Sequence, residues 1–277
     1  MNKFITSRLQ GRLGNMMFQI AHTYVTANKY NTRWAIPRHE SNSMGYEKTI
    51  FRSVPFFDGK TDSLLDATYV HIPFLYGPTP EPIENKSTVY VGWRQSEKFF
   101  EGMSDKIREL FGPTPEFIKR AYESFPELLT GRVCAINVRR GDYLTFPTRH
   151  PVITKEVILE GVDKLKQKPD TIFVLSDGLD WCKENLSELP NVKFIEWYES
   201  DGLWLLSLCH DFIISNSTFS WWGSFLSTSQ NKEIICPNTW FGPDMAGEQI
   251  FQDDIFGKDW TLIKTKWDPS GFILLDK

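Results

Sequence analysis

Cysteine is scarce in this sequence, and none of it is arranged for chemistry. No two of Cys134, Cys182, Cys209 and Cys236 stand in a C-x-x-C spacing, and each lies among apolar residues. That reads as buried free thiols in a reducing compartment rather than disulfides or zinc ligands. The five histidines form no H-x-x-x-H pair, so a zinc site has little support. No Lys/Arg cluster is longer than the Arg139-Arg140 pair, and 31 basic residues face 35 acidic ones for a net charge of −4. A nucleic-acid binder, which needs a basic face, is set aside. No window approaches ~18 consecutive apolar residues, and Met1 to Leu9 holds no apolar signal core. The sequence therefore predicts a cytoplasmic chain that does not span a membrane. Low-complexity tracts are also missing.

What is present is an ordinary globular composition, 41% hydrophobic and 24% charged over 277 residues. That length suits one large domain or two of common size. The chain opens with a strand pattern over Lys3–Leu9, a turn at Gly11-Arg12-Leu13-Gly14, and Met16, Met17, Ile20, Ala21, Tyr24 and Val25 at helical spacing. Residues 33–90 are rich in Pro, Gly and Asn and give no clear pattern. Val89–Trp93 reads as a strand, and 96–111 and 114–129 read as two helices with Thr114 as N-cap of the second. From residue 131 the rhythm is regular. Strands are predicted at 132–138, 171–176, 192–197, 211–215 and 233–236, with helices between them at 154–168, 178–188, 202–209 and 218–228. Near-continuous apolar strands alternating with helices signal a parallel sheet covered on both faces. Two α/β domains follow, 1–128 and 129–277, the second Rossmann-like, with ligands expected at the carboxyl ends of its strands.

Four stretches carry chemistry. Arg139-Arg140-Gly141-Asp142 ends an apolar strand; guanidinium forks there suit phosphate oxygens. The same residues would equally make a structural Arg–Asp pair, and an adhesion tripeptide is the remotest reading. Ser215-Asn216-Ser217-Thr218 joins a strand to a helix carrying Phe219, Trp222, Phe225 and Leu226 on one face; Ser217 or Thr218 is a natural N-cap, and such a terminus also binds phosphate. Ser176-Asp177 ends a third strand, where the carboxylate would cap a helix or contact a nucleoside. Gly11-Arg12-Leu13-Gly14-Asn15 is a weak dinucleotide fingerprint, lacking a third glycine, but a sound tight turn presenting Asn15.

Together and in this order, with Gly92-Trp93-Arg94-Gln95-Ser96-Glu97-Lys98-Phe99-Phe100 between them, these pieces resemble the α-1,2-fucosyltransferases. They resemble more broadly the fold group of the α-1,6- and protein O-fucosyltransferases. The resemblance covers nearly the whole chain. It implies an α/β, glycosyltransferase B-type fold of two Rossmann-like domains facing across a cleft, an acceptor-side domain at 1–128 and a donor domain at 129–277. It implies inverting transfer of L-fucose from GDP-fucose to a galactose-containing glycan acceptor, with no cofactor and no metal. No Asp-x-Asp stands at a strand end to hold a cation. By the same resemblance Arg139 and Arg140 bind the diphosphate, Ser217 and Thr218 contact phosphate, Asp177 contacts guanosine and Asn15 faces the reaction centre. Gly14, Asn137, Ser176 and Asn216 complete the donor set. The chain departs from the family pattern at Asn137 (usually His), Met16 (commonly Gln) and Gly178 (often a second Asp).

The resemblance leaves the base open among Asp142, Glu97, His22 and a water relay. The rivals are a transferase for another GDP-deoxyhexose or linkage, and a nucleotide-sugar or glycan-binding module without turnover. Peripheral association with a membrane-bound assembly system is left open.

Overall fold

Val133–Val138 (β6), buried at every position, is an inner strand of a six-stranded parallel sheet in the computed structural model of the chain. The structure describes residues 4–38, 45–61, 64, 66–74, 76–248 and 252–276. Lys3, at the start of the first predicted strand, and His39 lie outside them. The chain divides into two compact units, Met1–Gly112 with Asp253–Phe256, and Pro113–Gln252 with Gly257–Lys277.

In the first unit, Ile5–Ser7 (β1), Thr68–His71 (β4) and Thr88–Val91 (β5) form a parallel sheet in the order β1-β5-β4. Ile36–Pro37 (β2) and Phe56–Phe57 (β3) pair in parallel beside it, and Ile5 bridges to Trp34. The helix Leu13–Lys29 follows β1 and is buried on more than the apolar face its periodicity predicts. Gln19, His22 and Thr23 are buried with Met16, Met17 and Ile20. The helix predicted over 96–111 is broken. A 3₁₀ turn at Glu97–Phe100 stops at Glu101, Gly102 follows with a φ of +80° that no right-handed helix accommodates, and the helix proper is Ser104–Phe111.

The second unit places Thr171–Ser176 (β8), Val192–Ile195 (β9), Asp211–Ile214 (β10), Ile234–Pro237 (β11) and Thr261–Ile263 (β12) around β6 in the order β12-β11-β10-β6-β8-β9. The chain runs outward from β6 through β8 to β9, then returns to the other side of β6 and runs through β10 to β12. That is the doubly wound order, and its direction reverses between β6 and β10. A smaller sheet joins Val152–Ile153 (β7) to Phe272–Leu275 (β14), with Thr265–Trp267 (β13) antiparallel to β14. Helices Lys155–Asp163, Leu179–Leu186, Glu199–Ser207 and Thr218–Leu226 lie between the strands. One face of the sheet packs Cys134, Ile136 and Val174 with Val157, Ile158 and Ile213.

The unit boundary falls between Gly112 and Pro113, not after residue 128. The helix Pro115–Ser124, capped where Thr114 Oγ1 accepts from Phe117 N–H at 3.1 Å, presents Phe117 to Trp197 and Trp204 at 5.6 and 5.2 Å. Phe125 meets Phe173 and Trp197. Those aromatic contacts tie the helix to the sheet that follows it. No helix among the described residues is long and apolar enough to cross a membrane.

Candidate active site

Three loops leave the carboxyl ends of β6, β8 and β10, and their own hydrogen bonds draw them together. Arg139 N–H donates to Ser215 Oγ at 3.1 Å across the point where the strand order reverses. Arg140 N–H donates to Asp177 Oδ1 at 2.7 Å, and Tyr143 O–H donates to the Asn216 carbonyl at 2.9 Å. Tyr143 also stacks on His150 with ring centroids 4.9 Å apart. In an open α/β sheet this is the place a ligand occupies.

The two arginines separate. The Arg139 guanidinium is held by Asp142 through Nη2 and by Asp177 Oδ2 through Nη1 at 2.6 Å, beside the Tyr143 ring. Each Nη carries a second hydrogen, so the carboxylates orient the fork without exhausting it. Arg140 lies with its guanidinium 4.0 Å from the centre of the Trp181 ring and is buried. That charge is engaged by an aromatic face, so Arg140 does not share the surroundings of Arg139. Gly178 is what makes room: a Cβ there would press on the Arg140 side chain.

Asn137 does not open to the site. Its Nδ2 donates to the Leu175 carbonyl at 3.0 Å and its Oδ1 accepts from Ser220, so the buried amide is a strut between β6, β8 and the helix Thr218–Leu226. Asn216 is likewise internal, donating to the carbonyls of Pro151 and Trp240 at 3.1 and 2.8 Å. Ser176 Oγ accepts from Gly178 N–H at 2.9 Å and shapes the turn that carries Asp177. Ser217 is the N-cap of the helix Thr218–Leu226 and makes no side-chain capping bond; Thr218 is its first residue, and no acidic side chain occupies the first turn. The positive end of such a helix favours an anion. Beside Asp177 lies a cavity of about 270 Å³, lined by Ser176, Asp177, Asp180, Trp181, Glu196 and Tyr198.

The remaining predicted residues meet in the first unit. Gly14 and Asn15 occupy the first turn of the helix Leu13–Lys29, after Gly11 with φ +77°. Asn15 Oδ1 accepts from Gln95 Nε2 at 2.9 Å. Next to Gln95, Arg94 is completely buried with φ +54°. Its Nη1 donates to Ser7 Oγ at 2.8 Å and to His22 Nδ1 at 3.2 Å, and its Nε donates to the Gly92 carbonyl at 3.1 Å. Burial pushes the Arg94 pKa down to about 9. Arginine can only donate, so His22 Nδ1 is bare and Nε2–H donates to Thr79 Oγ1 at 2.9 Å. Burial first, then the charge of Arg94, holds His22 well below its usual pKa. With both nitrogens engaged and the ring buried, His22 is poorly placed to serve as a base. Asp142 and Glu97 are less buried; Glu97 accepts from Ser104 at 3.5 Å.

Sequence reasoning missed Trp181 and the weight of Arg94. The aromatic at Trp181 carries no local signal, because its partner Arg140 belongs to an earlier loop. Arg94 stood in view, an arginine directly after a strand pattern with no acidic neighbour.

A family model for "Glycosyl transferase family 11" matches residues 1–264. An "Alpha-1,2-colitosyltransferase" of Escherichia coli is 32% identical over 56% of this chain and 57% of its own length, so the chain spans little more than half of that relative. A "Galactoside alpha-(1,2)-fucosyltransferase 1" of Mus musculus is 26% identical over 94% of the chain and 72% of its own length. Among solved structures, NodZ alpha-1,6-fucosyltransferase soaked with GDP-fucose superposes with a TM-score of 0.55 at 15% identity. It covers 86% of this chain and 96% of that one, a likeness of fold.

Proposed function

The chain belongs to glycosyl transferase family 11, and from that premise we propose that it is an inverting, metal-independent fucosyltransferase. It moves L-fucose from GDP-fucose to a glycan hydroxyl, the 2-OH of a galactose, in α-1,2 linkage. The observation that carries this reading is the Arg139 fork, oriented by Asp142 and Asp177 at the switch point of a doubly wound sheet. Beside it stands the helix that begins at Thr218. Both features suit a diphosphate.

The cavity beside Asp177 suits the base. Guanine presents an N1–H and an exocyclic amine on one edge, which a carboxylate accepts as a pair. Asp177, Asp180 and Glu196 supply carboxylates there, and Trp181 and Tyr198 supply aromatic faces. In the transfer, the acceptor oxygen bonds to the sugar C1, the bond from C1 to the phosphate oxygen breaks, and negative charge collects on the β-phosphate. A preorganised guanidinium stabilises that charge most in the transition state. The acceptor proton leaves to Asp142, Glu97 or water.

Thermal-shift titration with GDP, UDP, ADP and CMP, with and without EDTA, tests the site. A ligand at ~100 Kd adds about 2.7 kcal/mol of stability. Stabilisation by GDP alone is expected; a preference for UDP, or a GDP effect that EDTA abolishes, overturns the donor or the metal independence. A second reading, transfer of a different deoxyhexose from its GDP derivative, is favoured by the relative named for colitose. A panel of GDP-sugars with a galactoside acceptor separates the two.

Gly141 gives a steric test of the same loop. A Cβ there would run into Asp177 Oδ2. Gly141→Ala is expected to push Asp177 off Arg139 and weaken GDP binding about tenfold or more, the worth of an oriented charge-assisted contact. Calorimetric titration checks it, and unchanged affinity would show that the clamp does not matter for the nucleotide.

A further inference from the structure

Arg94 is a costly side chain in the first unit. It is wholly buried, and none of its hydrogen bonds among the described residues is to a carboxylate. Its Nη2 is buried without a partner, and so is Oε1 of the neighbouring Gln95. Its backbone sits at φ +54°, a region that long side chains rarely adopt. Burying an unpaired cation on a strained backbone opposes folding on both counts. An apolar side chain would fill the same space at less cost, so the arginine is not explained by packing.

Its bonds show what it does hold. Ser7 ends β1, His22 lies on the helix Leu13–Lys29, and Gly92 begins the loop after β5. One planar fork thus pins three elements, and the next residue is Gln95, whose amide grips Asn15 in the first turn of that helix. Asn15 Nδ2 lies against Gly11, where a Cβ would run into it. The Asn15 amide is thus held with Oδ1 toward Gln95 and Nδ2 toward Gly11.

We propose that Arg94 is a positioning residue for sugar transfer: it locks the exit of β5 so that Gln95 holds the Asn15 amide in one orientation. This rests on the transferase reading above, and on Asn15 lying at the reaction centre. Lysine, a point charge whose donors form no planar fork, cannot replace it.

The test is a double-mutant cycle on the full chain, with melting temperatures recorded for every variant. Arg94→Met and Gln95→Ala are each expected to lower kcat by ~10²-fold with little change in KM for the GDP-sugar, the scale of a misplaced group. The double variant should be no worse than the worse single one, and Arg94→Lys should not rescue. Multiplicative losses, unchanged kcat in Arg94→Met, or a loss that tracks melting temperature alone would overturn the inference. A second arm needs no turnover. The Gln95 side-chain amide resonances in the ¹⁵N spectrum should be well dispersed in the parent and collapse toward solvent values in Arg94→Lys. Resonances that do not move refute the positioning role. If the parent transfers no GDP-sugar, the transferase reading fails while the spectrum still decides what Arg94 holds. If Arg94→Met does not fold, Gln95→Ala and Arg94→Lys carry both arms.

Discussion

Replacing Arg139 by alanine is expected to lower kcat for sugar transfer by roughly 10²–10³-fold at saturating donor, the scale of losing one preorganised donor to a developing anion. The expectation follows from how the side chain is held. Asp142 and Asp177 grip its two terminal nitrogens, and Tyr143 backs its plane. Tyr143 is in turn bonded to the Asn216 carbonyl and stacked on His150. A guanidinium fixed in this way needs little reorganisation when charge reaches the leaving phosphate. Arg139→Lys should recover little of the loss, since an ammonium cannot satisfy two carboxylates and a phosphate in one plane. Arg140→Ala should behave differently. Its side chain lies on Trp181, so its removal should loosen the packing beside the cavity at Asp177 and show first in GDP affinity. Steady-state kinetics with GDP-fucose and a galactoside, alongside GDP titration, separate the two arginines. Full turnover by Arg139→Ala would remove Arg139 from the mechanism.

That contrast marks where sequence reading reached and where it stopped. The sheet of the second unit was legible because a strand buried on both faces must be apolar throughout, and Val133–Val138 and Thr171–Ser176 nearly are. The loops at their ends followed from the rule for doubly wound sheets. Arg139 and Arg140 are adjacent and chemically identical, so nothing local distinguishes them. The difference comes from Trp181 on a later helix and from the bare Cα of Gly178. Asn137 entered the donor set by resemblance alone, and its bonds to Leu175 and Ser220 are long-range and invisible in a string of letters. The short strands Thr265–Trp267 and Phe272–Leu275 were missed because each has only three or four residues, too few for a period to register. The unit boundary was misplaced because the helix Pro115–Ser124 is amphipathic in either unit, and only the partners of Phe117 and Phe125 decide which sheet it covers.

The largest effect on stability is expected at the other end of the same two strands. Asp211 opens β10 with no exposure to solvent, and Arg132 precedes β6. Arg132 Nε meets Oδ2 of Asp211 at 2.6 Å and Nη2 meets Oδ1 at 2.7 Å, and Glu233 N–H adds a bond to Oδ1 at 2.8 Å. The cation is itself mostly covered and donates once more to the Asn231 carbonyl. Arg132→Ala leaves the carboxylate buried with one backbone donor, a loss of about 3–5 kcal/mol, or a fall in melting temperature of roughly 10 °C for a domain of this size. Replacing both partners by Arg132→Met and Asp211→Leu should return most of the loss, because two apolar chains need no desolvation. The pair sits at the amino ends of parallel strands whose carboxyl ends carry Arg139 and Ser215. Folded Arg132→Ala should therefore bind GDP as the parent does. A single variant that melts with the parent would show that solvent reaches Asp211. A variant that folds but no longer binds GDP would show that strain at one end of β6 and β10 is transmitted along the strands to the loops at the other.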